Sequence, residues 1–207
     1  MLRARCLHRG RRQALALREK HDVGTHPGGA VVVGLMTHVA LAQTVAKQDL
    51  EFAKKAAEGG LMEVQFGELA QEQAKDEQVV QFGARMVQDH GQANEKLKAI
   101  AEQKGIQLPQ ELPEDAQQKY EELQQLSDSE FDKAYMDEMV KDHEEDVEAF
   151  EQQAQSGEDP DLRAFAEETL PTLREHLELA KETQSQISAA GQATEQEQQH
   201  AATDAAG

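Results

Sequence analysis

The sequence predicts an all-α protein, an antiparallel four-helix bundle in which a longer link joins helices two and three. Apolar and small residues recur alternately every three and four positions in four segments, as in helices that pack into a bundle. The strict alternation that is typical of strands is absent. The connections between segments one and two, and between three and four, are short, so each pair should be antiparallel.

The four apolar stripes place the helices along the chain. They run from Phe52 to Ala74, from Val79 to Ile100, from Met136 to Ala154 and from Leu162 to Ile187. A chain of 207 residues can bury one ordinary core. We therefore expect one domain, the four-helix bundle, over residues 48–188.

Residue types at the ends of the stripes predict where the helices begin and end. Asp76 is a candidate cap for the second helix, and Gly105 a candidate end for it. Ser127 with Glu130 forms a capping-box pattern before the third helix. Residues 114–126, within the longer link, are predicted to form a short extra helix.

Residues 1–42 have the features of a basic leader that ends in a signal peptide. They contain seven Lys/Arg and two Asp/Glu, a net charge of about +5. An apolar run over residues 30–42 ends in Ala40-Leu41-Ala42, a small-x-small pattern that predicts cleavage after Ala42. The polar stretch ahead of this run is long for a signal peptide, which suggests that translation starts downstream of Met1. We expect an exported protein of the periplasm or cell envelope.

The remaining residues are strongly acidic, with a net charge of about −24. This charge repels phosphate backbones, and no basic stripe is present, so nucleic acid is not an expected partner. The acidic runs Glu121-Glu122 and Glu144-Glu145-Asp146 are interpreted as solvated helix faces. No second apolar segment predicts a membrane span, and protein partners and oligomeric state are left open. The single cysteine, Cys6, lies in the leader, which excludes a thiolate site in the bundle.

The last residues, 189–207, are rich in Gln and Ala and carry almost no large apolar side chain. Such a segment cannot bury enough surface to offset the entropy of ordering. The sequence therefore predicts a disordered tail.

One ionisable side chain interrupts each apolar stripe near its middle. These are Glu63, His90, His143 and His176, here called the core tetrad. If the helices alternate in direction, the four side chains should meet at one depth of the bundle. Buried carboxylate and imidazole groups need a partner or a bound ion. The tetrad is thus a candidate set of ligands for one Zn, Cu or Fe ion.

Three acidic residues precede histidines of the core tetrad directly. Asp89, Asp142 and Glu175 each lie about 100° around the helix from the following histidine. They border the apolar stripes. We expect them to orient histidines of the site by accepting hydrogen bonds.

The motifs around the tetrad resemble a known bacterial family. Met86–His90 recurs as Met139–His143, and the segments Glu58–Val64 and Thr169–His176 complete the pattern over residues 48–183. These motifs are similar to the ferritin-like domain-of-unknown-function family numbered 4142, whose members are often labelled outer-membrane or secreted proteins. The resemblance implies a ferritin-like bundle and an exported protein, and it implies no particular activity.

Three chemical interpretations of the tetrad stay open, and the sequence ranks them. A purely structural network of buried polar groups in a non-catalytic envelope or stress-related protein comes first, and a mononuclear metal site second. A ferritin-type dinuclear iron site comes last. It needs a Glu three residues before each His, and those positions are occupied by Val87, Val140 and Leu173. No serine or cysteine nucleophile motif is present, so enzymatic activity and catalytic residues stay undetermined.

Glycines inside the first two helices are unusual, because each costs about 1 kcal/mol relative to alanine. They are Gly59, Gly60, Gly67 and Gly83. We favour close approach of the two helix backbones over empty space beside Glu63 as the reason.

Overall fold

The computed structural model describes residues 44–205, and every regular element within them is an α-helix. The helices are α1 (Lys47–Gln73), α2 (Glu77–Lys104), α3 (Glu114–Gln124), α4 (Asp128–Ser156) and α5 (Pro160–Ala205). None of these helices has a stretch long and apolar enough to span a bilayer. The predicted signal peptide and its cleavage site after Ala42 lie outside the described residues.

The four long helices pack as two antiparallel hairpins, which confirms the predicted all-α bundle. The first hairpin is formed by α1 and α2 and the second by α4 and α5; α1 contacts α4, and α2 contacts α5. The link between the hairpins contains α3, close to the predicted position, and α3 packs against α1 and α4. The short connections thus determine which helices pair as hairpins, and the longer link joins one hairpin to the other.

The helix ends follow the sequence signals in two cases out of three. The Asp76 side chain accepts a hydrogen bond from the Gln78 N–H at 2.8 Å, and Gly105 ends α2 in the left-handed conformation with φ 68°. The prediction of a capping box at Ser127 is wrong, because the Ser127 side chain makes no capping hydrogen bond. Asp128 has φ 52°, and the Ser127 carbonyl accepts from the Glu130 N–H instead.

Helix α5 continues to Ala205, through residues that the sequence predicts to be disordered. Ala, Gln and Glu are strong helix formers, so the chain can extend a helix that is already nucleated. Side chains described beyond Ser188 are exposed. This extension therefore adds helix and no core.

The apolar core consists of two clusters on either side of the core tetrad. One contains Phe66, Phe82 and Tyr135, and the other contains Phe52 and Phe150. In the second cluster the rings of Phe52 and Phe150 meet edge to face with centroids 5.0 Å apart. A polar layer thus divides the core at mid-bundle.

Two glycines let α1 and α2 approach closely, one turn from this layer along α1 and two turns from it along α2. A Cβ on Gly67 would lie 2.6 Å from the Gly83 carbonyl oxygen, and a Cβ on Gly83 would lie 2.8 Å from the Gly67 carbonyl oxygen. Any larger residue would force the helices apart. Close backbone approach is therefore the correct explanation for this pair, and it brings Glu63 toward His90.

At one end of the bundle, a buried carboxylate holds the connection between α4 and α5. Asp49, in the first turn of α1, is fully buried. It accepts hydrogen bonds from the backbone N–H groups of Glu158 at 3.2 Å and Asp159 at 2.7 Å, and from the Gln153 side-chain amide at 2.7 Å. A residue of the first hairpin thereby accepts the hydrogen bonds of the backbone N–H groups in the loop of the second hairpin.

The opposite end has the reciprocal arrangement. Asp132, near the start of α4, is 4% exposed and accepts hydrogen bonds from the backbone N–H groups of Lys75 and Asp76, each at 3.0 Å. These two residues lie in the connection between α1 and α2. We call Asp49 and Asp132 the end carboxylates.

Candidate metal centre

The structure brings the four members of the core tetrad together at mid-bundle. Each helix of the two hairpins contributes one member, and their exposures are 0% for Glu63, 5% for His90, 0% for His143 and 0% for His176. The apolar clusters cover the layer from both ends. These side chains are therefore outside bulk water.

The three histidines of the tetrad surround one point. Ring centroids are 5.6 Å apart for His90 and His143, 5.3 Å for His90 and His176, and 5.4 Å for His143 and His176. One ring nitrogen from each histidine lies within 4.8 Å of the other two. Nitrogens 4.8 Å apart would have a common centre about 2.8 Å from each, so inward shifts of about 0.7 Å would give metal-ligand distances.

Hydrogen bonds occupy one ring nitrogen of His143 and one of His176 and leave the other nitrogen of each ring unpaired. His143 Nδ1 donates to the Met139 carbonyl oxygen at 2.9 Å, and His176 Nε2 donates to Asp89 Oδ2 at 2.9 Å. The opposite nitrogens, His143 Nε2 and His176 Nδ1, are buried without a hydrogen-bond partner, and so is His90 Nε2. In neutral imidazole such a nitrogen carries the lone pair that binds a metal.

Asp89 is itself held in position from the surface. Its Oδ2 accepts from Arg85 Nε at 3.2 Å, and Arg85 also donates to Glu175 at 2.8 Å. Asp89 thus accepts a hydrogen bond from His176, a histidine of the neighbouring helix α5. Glu175 instead contacts Arg85 on an exposed face, so it supports Asp89 indirectly.

Burial keeps the three histidines neutral. Desolvation, followed by the neighbouring imidazoles His143 and His176, lowers the pKa of His90 well below its ordinary value. Desolvation and the nearby His176 lower the pKa of His143 to about 4. The pKa of His176 is also lowered, mainly by desolvation. Protons therefore do not compete for these lone pairs at neutral pH.

Glu63 lies beside the histidines and faces Asp142. Its Oε1 is 3.2 Å from His143 Nδ1 and its Oε2 is 3.9 Å from His90 Nε2, yet neither oxygen has a hydrogen-bond partner. An oxygen of Glu63, an oxygen of Asp142 and a nitrogen of His143 lie within 4.8 Å of one another. Asp142 therefore meets a carboxylate rather than orienting a histidine.

A third carboxylate near Glu63 contradicts the sequence interpretation. Asp146 was assigned to a solvated face, but it is 6% exposed because it lies one turn after Asp142 on the side of α4 that faces α1. Burial and the Asp142 charge raise the pKa of Asp146 to about 8. Burial, with Asp142 and Asp146, raises the pKa of Glu63 well above its ordinary value. The sequence did contain a signal for the burial of Asp146: it lies three residues after His143, and residues at this spacing share one side of a helix.

Comparisons with known proteins agree on a helical bundle. The family model described as "Domain of unknown function (DUF4142)" matches residues 35–183. A DUF305 fragment from Deinococcus radiodurans superposes with a TM-score of 0.61 at 12% identity, covering 69% of this chain and 98% of that chain. A DUF305 protein from Streptomyces coelicolor, provisionally described as secreted, gives 0.59 at 11% identity over 68% and 92%. No curated protein matches the chain.

Proposed function

The chain belongs to the DUF4142 family, and from that premise and the geometry of its core we propose that it is an exported protein that binds one transition-metal ion. The three histidines of the core tetrad would be the nitrogen ligands. Glu63 would bind the same ion or balance its charge. Three neutral imidazoles and a carboxylate suit Zn(II), Cu(II) or Fe(II).

The observation that carries this proposal is the set of three unpartnered ring nitrogens on histidines that surround one point. His90 Nε2, His143 Nε2 and His176 Nδ1 are all buried without hydrogen bonds. Leaving one such group unpaired costs about 1–3 kcal/mol, and here three converge. A single ion would pair all three.

The surroundings of the site support a ligand role for two of its histidines. Metal-binding histidines usually donate their other N–H to a carboxylate or a backbone carbonyl. His176 donates to Asp89, and His143 donates to the Met139 carbonyl. Both bonds orient the ring and leave the inward nitrogen unprotonated.

Export is the less direct part of the proposal. It is supported by the apolar run that ends at Ala42 and by the DUF305 neighbour provisionally described as secreted. Mass spectrometry of the N-terminus of protein purified from the periplasm tests it. A mature chain beginning at Gln43 is expected, and a chain that retains its leader would contradict export.

Metal analysis tests the binding site. Protein purified from the periplasm should contain about one transition-metal ion per chain, and His90→Ala and His143→Ala should each lose most of it. His200→Ala is the matched control, because this histidine is exposed in the last part of α5. Metal well below one equivalent in the wild type would contradict the proposal.

The competing function is a purely structural one, in an envelope or stress-related protein. The hydrogen bond between His176 and Asp89 favours it, since this bond fixes the relation of α2 to α5 without any ion. Thermal melts with and without chelator separate the two functions. A structural network predicts the same melting temperature in both conditions.

A further inference from the structure

A second group of buried polar atoms adjoins the three histidines and shares Glu63 with the core tetrad. Glu63, Asp142 and Asp146, here called the carboxylate cluster, project from α1 and α4. Both oxygens of Glu63 and Oδ2 of Asp142 are buried without a hydrogen-bond partner. Asp146 makes no hydrogen bond and no ion pair within the described residues.

Glu63, which is fully buried, lies beside Asp142 and near the buried Asp146, so these groups must be neutralised by protons or by a cation. One Glu63 oxygen and one Asp142 oxygen lie within 4.8 Å of each other, and Glu63 is fully buried. Lys55, Lys119 and Lys141 line the adjoining cavity, and Lys55 lowers the pKa of both aspartates, but among the described residues none of the three forms an ion pair with the cluster. Buried like charges are strongly unfavourable unless protons or a cation neutralise them.

A cavity gives solvent access to the two aspartates of this cluster. Its volume is about 260 Å³, it lies between α1, α3 and α4, and Asp142, Asp146 and Gly59 are among its lining residues. A Cβ on Gly59 would lie 3.7 Å from both Asp146 carboxylate oxygens. The glycine thus leaves open the space in front of Asp146, where a larger side chain would stand.

We propose that the carboxylate cluster is a second cation site, which takes a divalent ion that prefers oxygen ligands, such as Mn(II). Glu63 is shared between this ion and the ion at the three histidines. The cavity supplies water molecules for the remaining positions. This inference rests on the proposed function for the first ion and adds a second ion of different ligand preference.

The test separates the two sites by their donor atoms. Metal-free full chain is first given one equivalent of Zn(II), which nitrogen ligands hold more tightly than Mn(II). Mn(II) is then titrated in, and free Mn(II) is followed by electron paramagnetic resonance. Zinc-loaded wild type should bind one Mn(II), whereas Asp142→Asn and Asp146→Asn should bind it at least 10-fold more weakly.

Glu145→Gln is the matched control, since Glu145 lines the same cavity from α4 but is exposed. It should bind Mn(II) as the wild type does. The aspartate variants keep the shape of the side chain and remove the carboxyl group that an ion would bind, so their melting temperatures without metal should not fall. Those melts show that lost binding is not lost folding.

The outcomes distinguish this inference from the proposed function. One bound Zn(II) with no bound Mn(II) overturns the second site and leaves the first. Equal Mn(II) affinity in Asp142→Asn and wild type also overturns it, as does equal loss in Glu145→Gln. Mn(II) binding that depends on Asp142, in a chain that binds no Zn(II), overturns the proposed function alone.

Discussion

Buried carboxylates occur at the ends of this bundle and at its centre, and their surroundings differ. Asp49 accepts three hydrogen bonds and Asp132 accepts two, all but one of them from backbone N–H groups of a helix connection. Glu63, at the centre, is equally buried and accepts none. Burial alone therefore does not indicate function. An end carboxylate completes the fold, whereas a central carboxylate lacks the partner that an ion would provide.

The end carboxylates should be the more important for folding. Asp49→Ala leaves two backbone N–H groups and the Gln153 amide unpaired, so we expect a loss of about 3–5 kcal/mol in the free energy of unfolding. Urea denaturation measures it. Asp161→Ala, an exposed aspartate near the same loop, should change stability much less. Equal effects of the two substitutions would contradict the structural role of Asp49.

Metal binding should stabilise the centre and depend on Asp89. Zn(II) at 100 times its dissociation constant should add about 2.7 kcal/mol to the free energy of unfolding. Asp89→Asn removes the acceptor that orients His176, and such changes weaken metal binding about 10-fold to 100-fold. Isothermal titration calorimetry measures the affinity. An unchanged affinity in Asp89→Asn would show that the hydrogen bond serves packing only.

The stability of the metal-free protein should fall as pH rises from 6.5 to 8. The folded pKa of Asp146, about 8, is above its ordinary value of 3.8, so its contribution is present at low pH and is lost as pH rises through 8. The histidine pKa values are lowered, so their contribution changes only below 6.5. The slope should be at most about 1.4 kcal/mol per pH unit for one proton.

Thermal melts of the metal-free wild type and of Asp146→Asn over this pH range measure the slope. The variant should have a flatter dependence, because it carries no titrating group at that position. The same slope in both proteins would mean that Asp146 titrates as an exposed carboxylate does.

The smallest expected effect is at Glu63 in the metal-free protein. Glu63→Gln keeps the shape of the side chain and removes a buried carboxyl group that has no hydrogen-bond partner and that faces Asp142, so the free energy of unfolding should stay unchanged or rise by about 1 kcal/mol. Chemical denaturation in the presence of chelator measures it. A loss comparable to that of Asp49→Ala would show that Glu63 is a structural group like the end carboxylates.

The sequence predicted the bundle and the level of the tetrad because both follow from helical periodicity. His90 and His143 interrupt apolar stripes at mid-helix, and helices of similar length that alternate in direction bring such positions together. The close approach of the helices at Gly67 and Gly83 was also predictable, since glycine within a helix favours close approach of a neighbouring backbone.

The burial of the end carboxylates and of Asp146 could not be predicted from helical periodicity. Asp49 lies in the first turn of α1 and Asp132 lies near the start of α4, where acidic residues are ordinarily explained by the helix dipole. Their burial depends on a loop of the other hairpin, which is distant in sequence. Asp146 belongs to an acidic run, and its burial depends on how α4 packs against α1 and α3. The end of α5 is the opposite case: local helix propensity extends the helix there, although the side chains described beyond Ser188 are exposed.

The reciprocal placement of Asp49 and Asp132 has a consequence for how the chain folds. Neither hairpin can satisfy the N–H groups of its own connection, because the acceptor belongs to the other hairpin. A separated hairpin would keep its connection hydrated and frayed. Folding should therefore be cooperative across the whole bundle, and coexpressed halves should assemble only as a complementing pair.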